Sequence, residues 1–250
     1  MVLMSAVTSA YIIRNFHINV WLALLIVVIE GIIMGGINGL IIAKLKINPL
    51  IATLAMMSIL TGLIHIITKG VFINVKEESF RFLGNYRLFN IKFLQLPIII
   101  LICFFIIFSM VLKYTCYGKY VYAIGGNKIA AKFSGINVNL ITTSVYMISG
   151  FVCGVGGYIL ASRIGSAQPN IAGFFPLDSI AAVALGGVSL AGGRGSLWGT
   201  FMGLLILGTV NVGLLGLGFE TYIQYIAAGF ILIIAVSLMN LENYKYSQYF

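Results

Sequence analysis

Charge is what this sequence has least of. Only 8% of its 250 residues are charged and six are acidic, where a soluble domain carries roughly 25% charged residues. Sixty per cent are hydrophobic. A chain so short of polar surface cannot cover a globule in water, so lipid is the solvent its composition fits. There are two histidines, His17 and His65, and three cysteines, Cys103, Cys116 and Cys153. No C-x-x-C pair and no H-E-x-x-H occurs, which leaves no disulfide framework, no metal cluster and no basis for an intramembrane enzyme. The four prolines argue against low complexity. The formal net charge is +9, but the basic residues lie scattered between apolar runs. A groove that tracks nucleic-acid phosphates needs them clustered, so nucleic acid is not an expected partner. The opening residues, MVLMSAVTSAYIIRNFHI, lack the basic start and cleavage site of a signal peptide. They read as the tail of something that began earlier.

What is present is a series of apolar runs. Six stand out, over 20–43, 50–68, 96–112, 140–161, 197–217 and 222–240. Each approaches the ~20 residues that a helix needs to cross ~30 Å of hydrocarbon. A seventh, SIAAVAL at 179–185, runs into glycine. From residue 178 to 193 a helix would reach only about 24 Å. Such an interrupted crossing survives only where protein or a cavity covers the irregular backbone. The expected fold class is therefore all-α, a polytopic membrane helix bundle with about six full spans plus one short or discontinuous crossing. Residues 1–250 are read as a single transmembrane domain. Counting parity back from a cytoplasmic tail puts loop 113–139 in the cytoplasm if the short segment crosses. That loop holds Lys113, Lys119, Lys128 and Lys132 and no acid. Lys44, Lys46 and Arg194 fall on the same side. The totals of Lys and Arg on the two sides are nearly level, and the acid-free loop is the best support for this orientation.

Glu30 sits ten residues into the first run. A charged glutamate there must face protein, water or a partner, or hold its proton. It is read either as a polar contact within the bundle or as lining for a path through it. His65 is read as a packing residue. Gly31, Gly35 and Gly39 recur every fourth residue, as do Gly150 and Gly154, and Gly199 and Gly203. Positions i and i+4 share a helix face, and small residues there let helices approach closely in lipid. The densest glycine run, ALGGVSLAGGRGSLWGT at 184–200, is not a phosphate loop. A P-loop needs Lys and then Ser or Thr after its last glycine, where Gly193 and Arg194 stand. The spacing of Gly193, Gly195 and Gly199 also misses the dinucleotide fingerprint by one residue. A flexible corner between two membrane segments fits better.

Four stretches carry a resemblance. AIGGNKIAAKFSGINV (123–138), GYILASRIGSAQPNIAG (157–173), IAAVALGGVSLAGGRGSLWGT (180–200) and NPLIATLAMMSILTGL (48–63) resemble signature segments of one family. It is the ribose/simple-sugar type of ABC transporter permease, within the branched-chain amino acid/ribose permease superfamily. The likeness runs from about residue 21 to 240.

The resemblance implies a multi-pass subunit of the bacterial cytoplasmic (inner) membrane. A separate ABC ATPase subunit would power it, a second permease subunit would pair with it, expected as a homodimer, and an extracytoplasmic sugar-binding protein would deliver cargo. No cofactor and no catalytic residue are implied. Loop 113–139 would hold the coupling helix that seats in the ATPase, with Gly125, Asn127, Ala130, Ala131 and Gly135 as its residues. Ala130 and Ala131 are read as a small face for docking. Relatives often carry an acid where Lys128 and Ile129 stand here, so the docking surface is expected to differ. Relatives also begin with about two further spans, including a D-L-S-V-G-like stretch that nothing here matches. The N-terminal portion of the family is therefore expected to be missing. Candidates for the translocation path, chosen for polarity within or near the spans, are Asn38, Thr53, Ser58, Thr61, Asn211, Gln224 and Glu30. The competing expectations are a permease for a nucleoside or other small solute, and an ion-coupled secondary transporter. The latter would need titratable groups near the midplane, and Glu30 alone offers one.

Overall fold

The computed structural model describes residues 1–88, 95–169, 175–220, 222–231, 233, 234 and 237. In chain order these form α1 (Val2–Phe16), α2 (Val20–Leu45), α3 (Pro49–Thr68), the two-residue strand β1 (Ile73–Asn74), a 3-10 turn (Glu78–Arg81) and α4 (Phe82–Asn85). They continue as α5 (Leu96–Tyr114), α6 (Cys116–Gly126), α7 (Lys128–Phe133), α8 (Val138–Ile164), strand β2 (Ser166–Ala167), α9 (Phe175–Leu185), α10 (Leu197–Gly216) and α11 (Tyr222–Ile231). Five of them, α2, α3, α5, α8 and α10, are long and apolar enough to cross a membrane. Their bounds fall within three residues of those expected from the apolar runs. The run expected as a short crossing forms the apolar helix α9, 11 residues long. The sixth run, 222–240, is helical over α11, and most of its remainder lies outside the described residues.

The helix ends are written in the sequence. Asn19, Asn48, Asn137 and Ser196 each stand just before a long helix and accept a hydrogen bond from an amide of its first turn. This satisfies donors that have no partner within the helix. Pro49, at the first position of α3, adds a preset φ and needs no amide partner.

The chain forms two compact units. The first holds Met1–Met110 and Gly135–Ala172. Its centre is the crossing of α2 and α8, where Gly31, Gly35 and Gly39 face Thr143, Tyr146, Gly150 and Gly154. The two backbones touch, and a Cβ on either Gly31 or Gly150 would overlap the other's carbonyl. Helix α1, not foreseen as an ordered element, packs on α2, α3 and α8. It buries Met4, Val7, Ala10 and Ile13 at three-residue spacing.

At the end of α8, β1 and β2 pair antiparallel, Ile73 with Ala167 and Asn74 with Ser166. The Ser162 hydroxyl donates to the Phe80 carbonyl and accepts from the Gly84 amide. Phe80 meets the Tyr158 ring edge-on at 5.3 Å, and the Tyr158 hydroxyl donates to the Val20 carbonyl at 3.0 Å. Trp21, Phe82 and Tyr86 cluster at the same end, the kind of aromatic group found at headgroup level.

The second unit holds Val111–Ser134 and Gly173–Phe250. Here α9 packs on α10 through Gly186 against Gly199 and Ala182 against Gly203, so two of the small-residue positions read from the sequence lie in this seam.

Candidate functional site

Loop 113–139 folds into two short helices. Thr115 opens α6, its hydroxyl accepting from the Gly118 amide. Asn127 ends α6 and begins α7. Its amide donates to the Ala123 carbonyl, and its carbonyl accepts from the Ala131 amide. Its side-chain oxygen accepts from both the Ile129 and Ala130 amides at 3.0 Å. A six-residue helix is too short to stand on propensity alone, so this cap matters. Asn127→Ala should cost about 1 kcal/mol locally. The check is faster amide hydrogen exchange over 128–133, with the rest of the chain unchanged. Gly135, at φ 82°, follows α7 in the left-handed region that glycine enters freely.

The faces of α7 differ. Ala131 is buried, whereas Ala130 is exposed. Lys128 and Lys132 are exposed. Ile129 is 70% exposed and Phe133 89%, and at i and i+4 they share a face. The expected docking residues include Ala130 and Ala131 but not this apolar pair. The signal was available, because two large apolar residues flank the small ones at helical spacing.

The glycine run meets this segment. Gly192 and Gly193, at φ 98° and 76°, form the corner after α9. A Cβ on Gly125 would lie 2.5 Å from the Gly193 nitrogen, and one on Gly193 would lie 2.7 Å from the Gly126 Cα. The Tyr122 hydroxyl donates to the Gly195 carbonyl at 3.0 Å. The corner that holds Arg194 therefore lies beside the loop that holds Lys119 and Lys128.

Residues 1–236 match the family model described as the permease component of the branched-chain amino acid transport system. The chain belongs to this permease family. The ribose import permease protein RbsC of Haemophilus influenzae is 38% identical to the permease over 230 residues, which span 90% of this chain and 70% of that protein. The L-arabinose transport system permease protein AraH of Escherichia coli is 39% identical over 232 residues, spanning 93% and 70%. The fructose import permease protein FrcC of Rhizobium meliloti is 36% identical over 214 residues, spanning 83% and 59%. No solved structure matches the permease significantly.

The polar candidates for the path of this permease are divided between the two compact units. Glu30 and Asn38 lie on α2, in the first unit, and both are turned inward. Thr8 of α1 donates to Glu30 Oε1 at 3.1 Å, while Glu30 Oε2 and Asn38 Oδ1 are buried without a hydrogen-bond partner. Thr53, Ser58 and Thr61 lie on α3, and each hydroxyl bonds back to its own helix's carbonyls. Asn211 on α10 and Gln224 on α11 are half-buried in the second unit. At the ribbon end of the first unit, Asn74, Lys76, Glu78, Arg81 and Ser166 line a cavity of about 380 Å³. Among the described residues no group of three or more His, Cys, Asp or Glu side chains is placed to hold a metal.

Proposed function

We propose that this multi-pass permease carries a simple sugar of the pentose or hexose class into a bacterial cell, as the membrane half of an ABC importer. The observation that carries the reading is the similarity, over nine-tenths of the chain, to permeases named for ribose and L-arabinose import or transport. It makes or breaks no bond in its cargo. ATP hydrolysis belongs to a separate ATPase subunit, and a second copy of the permease completes the pore. Loop 113–139 faces the cytoplasm, and α7 is the helix that seats in the ATPase. Its exposed Ile129–Phe133 pair and flanking lysines support that role, since apolar anchors ringed by polar residues are the usual centre of a docking surface. The exposed cations Lys76, Arg81 and Arg163 at the far end of α8 support an acidic docking surface on the sugar-binding protein.

The test is uptake of labelled D-ribose, L-arabinose and D-fructose by vesicles that contain the permease, its ATPase and its binding protein. Uptake of at least one sugar should require all three proteins and ATP. Uptake that persists without the ATPase, or follows a proton gradient in its place, would overturn the importer reading in favour of a secondary transporter.

A further inference from the structure

Between α7 and the α9–α10 pair the covalent path runs through Gly135 and the whole of α8. Yet residues 111–134 and 173–250 belong to one compact unit. What joins the two pieces at the corner is backbone laid on backbone: Gly125 and Gly126 against Gly192 and Gly193. The nearest atoms that Gly125, Gly192 and Gly193 meet across the contact are backbone, which cannot absorb displacement by changing rotamer. A side-chain bond from the Tyr122 hydroxyl to the Gly195 carbonyl closes the contact.

The corner is itself stiff. The Ser189 amide donates to the Arg194 carbonyl, and the Gly192 amide to the Ser189 carbonyl. The Val188 amide ties the corner back to the Val183 carbonyl in α9. On its other side Ser196 caps α10 by accepting from the Gly199 amide, and the Gly186–Gly199 and Ala182–Gly203 contacts lock α9 onto α10. A displacement of α6–α7 at this joint therefore reaches α9 and α10 together.

We propose that Tyr122 is a positioning residue for transport. Its bond to Gly195, with the glycine contact beside it, forms a transmission joint that delivers the movement of the ATPase-seated helix α7 to the α9–α10 pair. This rests on the importer reading above, but it is a claim about one hydroxyl and one backbone contact. Tyr122 is half-buried on α6, and its hydroxyl is turned to the Gly195 carbonyl. Losing its hydroxyl should leave ATPase docking and ATP hydrolysis in place and slacken the link between them and the pore.

The test uses the complete importer in vesicles, with wild type and Tyr122→Phe compared on whichever of the three sugars the wild type takes up. In Tyr122→Phe the ATPase should co-purify as in wild type and hydrolysis should continue, while sugar moved per ATP falls at least fivefold. An unchanged ratio overturns the joint. So does loss of ATPase docking or of folded protein, which would make Tyr122 a structural residue only. A second measurement needs no substitution and no sugar. In the wild-type permease–ATPase complex, trapping ATP should alter amide exchange over 187–196 together with 116–133. A corner indifferent to ATP while 116–133 responds also overturns the joint. A wild-type complex with no ATP-dependent uptake would instead sink the importer reading, and the exchange measurement would still decide the joint.

Discussion

Phe133→Asp should release the ATPase from the permease. Phe133 is 89% exposed and Ile129 70%, on a six-residue helix whose other side is anchored by buried Ala131. Burying a large apolar side chain against a partner is worth about 1.5–3 kcal/mol. The pair can therefore supply about 3–6 kcal/mol, which corresponds to roughly a hundredfold to ten-thousandfold in affinity. Aspartate removes one anchor and asks the interface to desolvate a charge, so the loss should exceed that of alanine. We expect Phe133→Ala to weaken ATPase binding about 10- to 100-fold. Phe133→Asp should abolish co-purification and ATP-driven uptake, with the permease still inserted and folded. Pull-down of the ATPase from solubilised membranes checks both. Full binding by Phe133→Asp would remove α7 as the docking helix.

Much of the architecture was legible because lipid imposes a long, uniform pattern. An apolar run of membrane length, headed by asparagine in α2, α3 and α8, leaves few alternatives, and α2, α3, α5, α8 and α10 begin and end close to where the runs do. Helix α1 was less legible. Its sequence, VLMSAVTSAYIIRNF, mixes small and polar residues and is too short for a span. It is ordered by packing on its neighbours, which no local pattern announces. The β1–β2 ribbon is two residues a side and joins segments far apart in sequence, so nothing local marks it.

The polar candidates show a different limit. Choosing hydroxyls and amides by type finds residues able to meet a sugar, but Thr53, Ser58 and Thr61 spend their hydrogens on carbonyls of their own helix. In lipid such back-bonding is the default for an isolated hydroxyl. Polarity within a span therefore says little about cargo without knowledge of what it faces. The glycines were more informative, because close approach is written in spacing. Even so, the spacing could not reveal that Gly125 and Gly193 meet, since that contact joins a loop helix to a corner in a distant part of the chain.

Gly150→Leu should prevent recovery of folded permease. At the α2–α8 crossing a Cβ on Gly150 would overlap the Gly31 carbonyl and stand 3.1 Å from the Gly35 Cα. Both obstacles are backbone, so no neighbouring rotamer can relieve them and the helices must part. Overpacking a core that can adjust costs about 1–3 kcal/mol, and here adjustment means separating the seam along Gly31, Gly35 and Gly39. In a bilayer the hydrophobic effect does not draw helices together, so close packing carries the association and its loss is felt in full. Gly150→Ala, with one carbon in the same place, should lower the thermal midpoint in detergent by several degrees and reduce yield. Gly62→Ala and Gly156→Ala serve as controls, since nothing lies within 4 Å of a Cβ at either position. At those sites alanine should leave the midpoint unchanged or raise it slightly, because glycine in a helix interior costs about 0.5–1 kcal/mol relative to alanine. If Gly150→Leu melts with the controls, α2 and α8 do not touch as described. If Gly62→Ala falls with Gly150→Ala, helix glycines in this permease are limiting for a reason other than close approach.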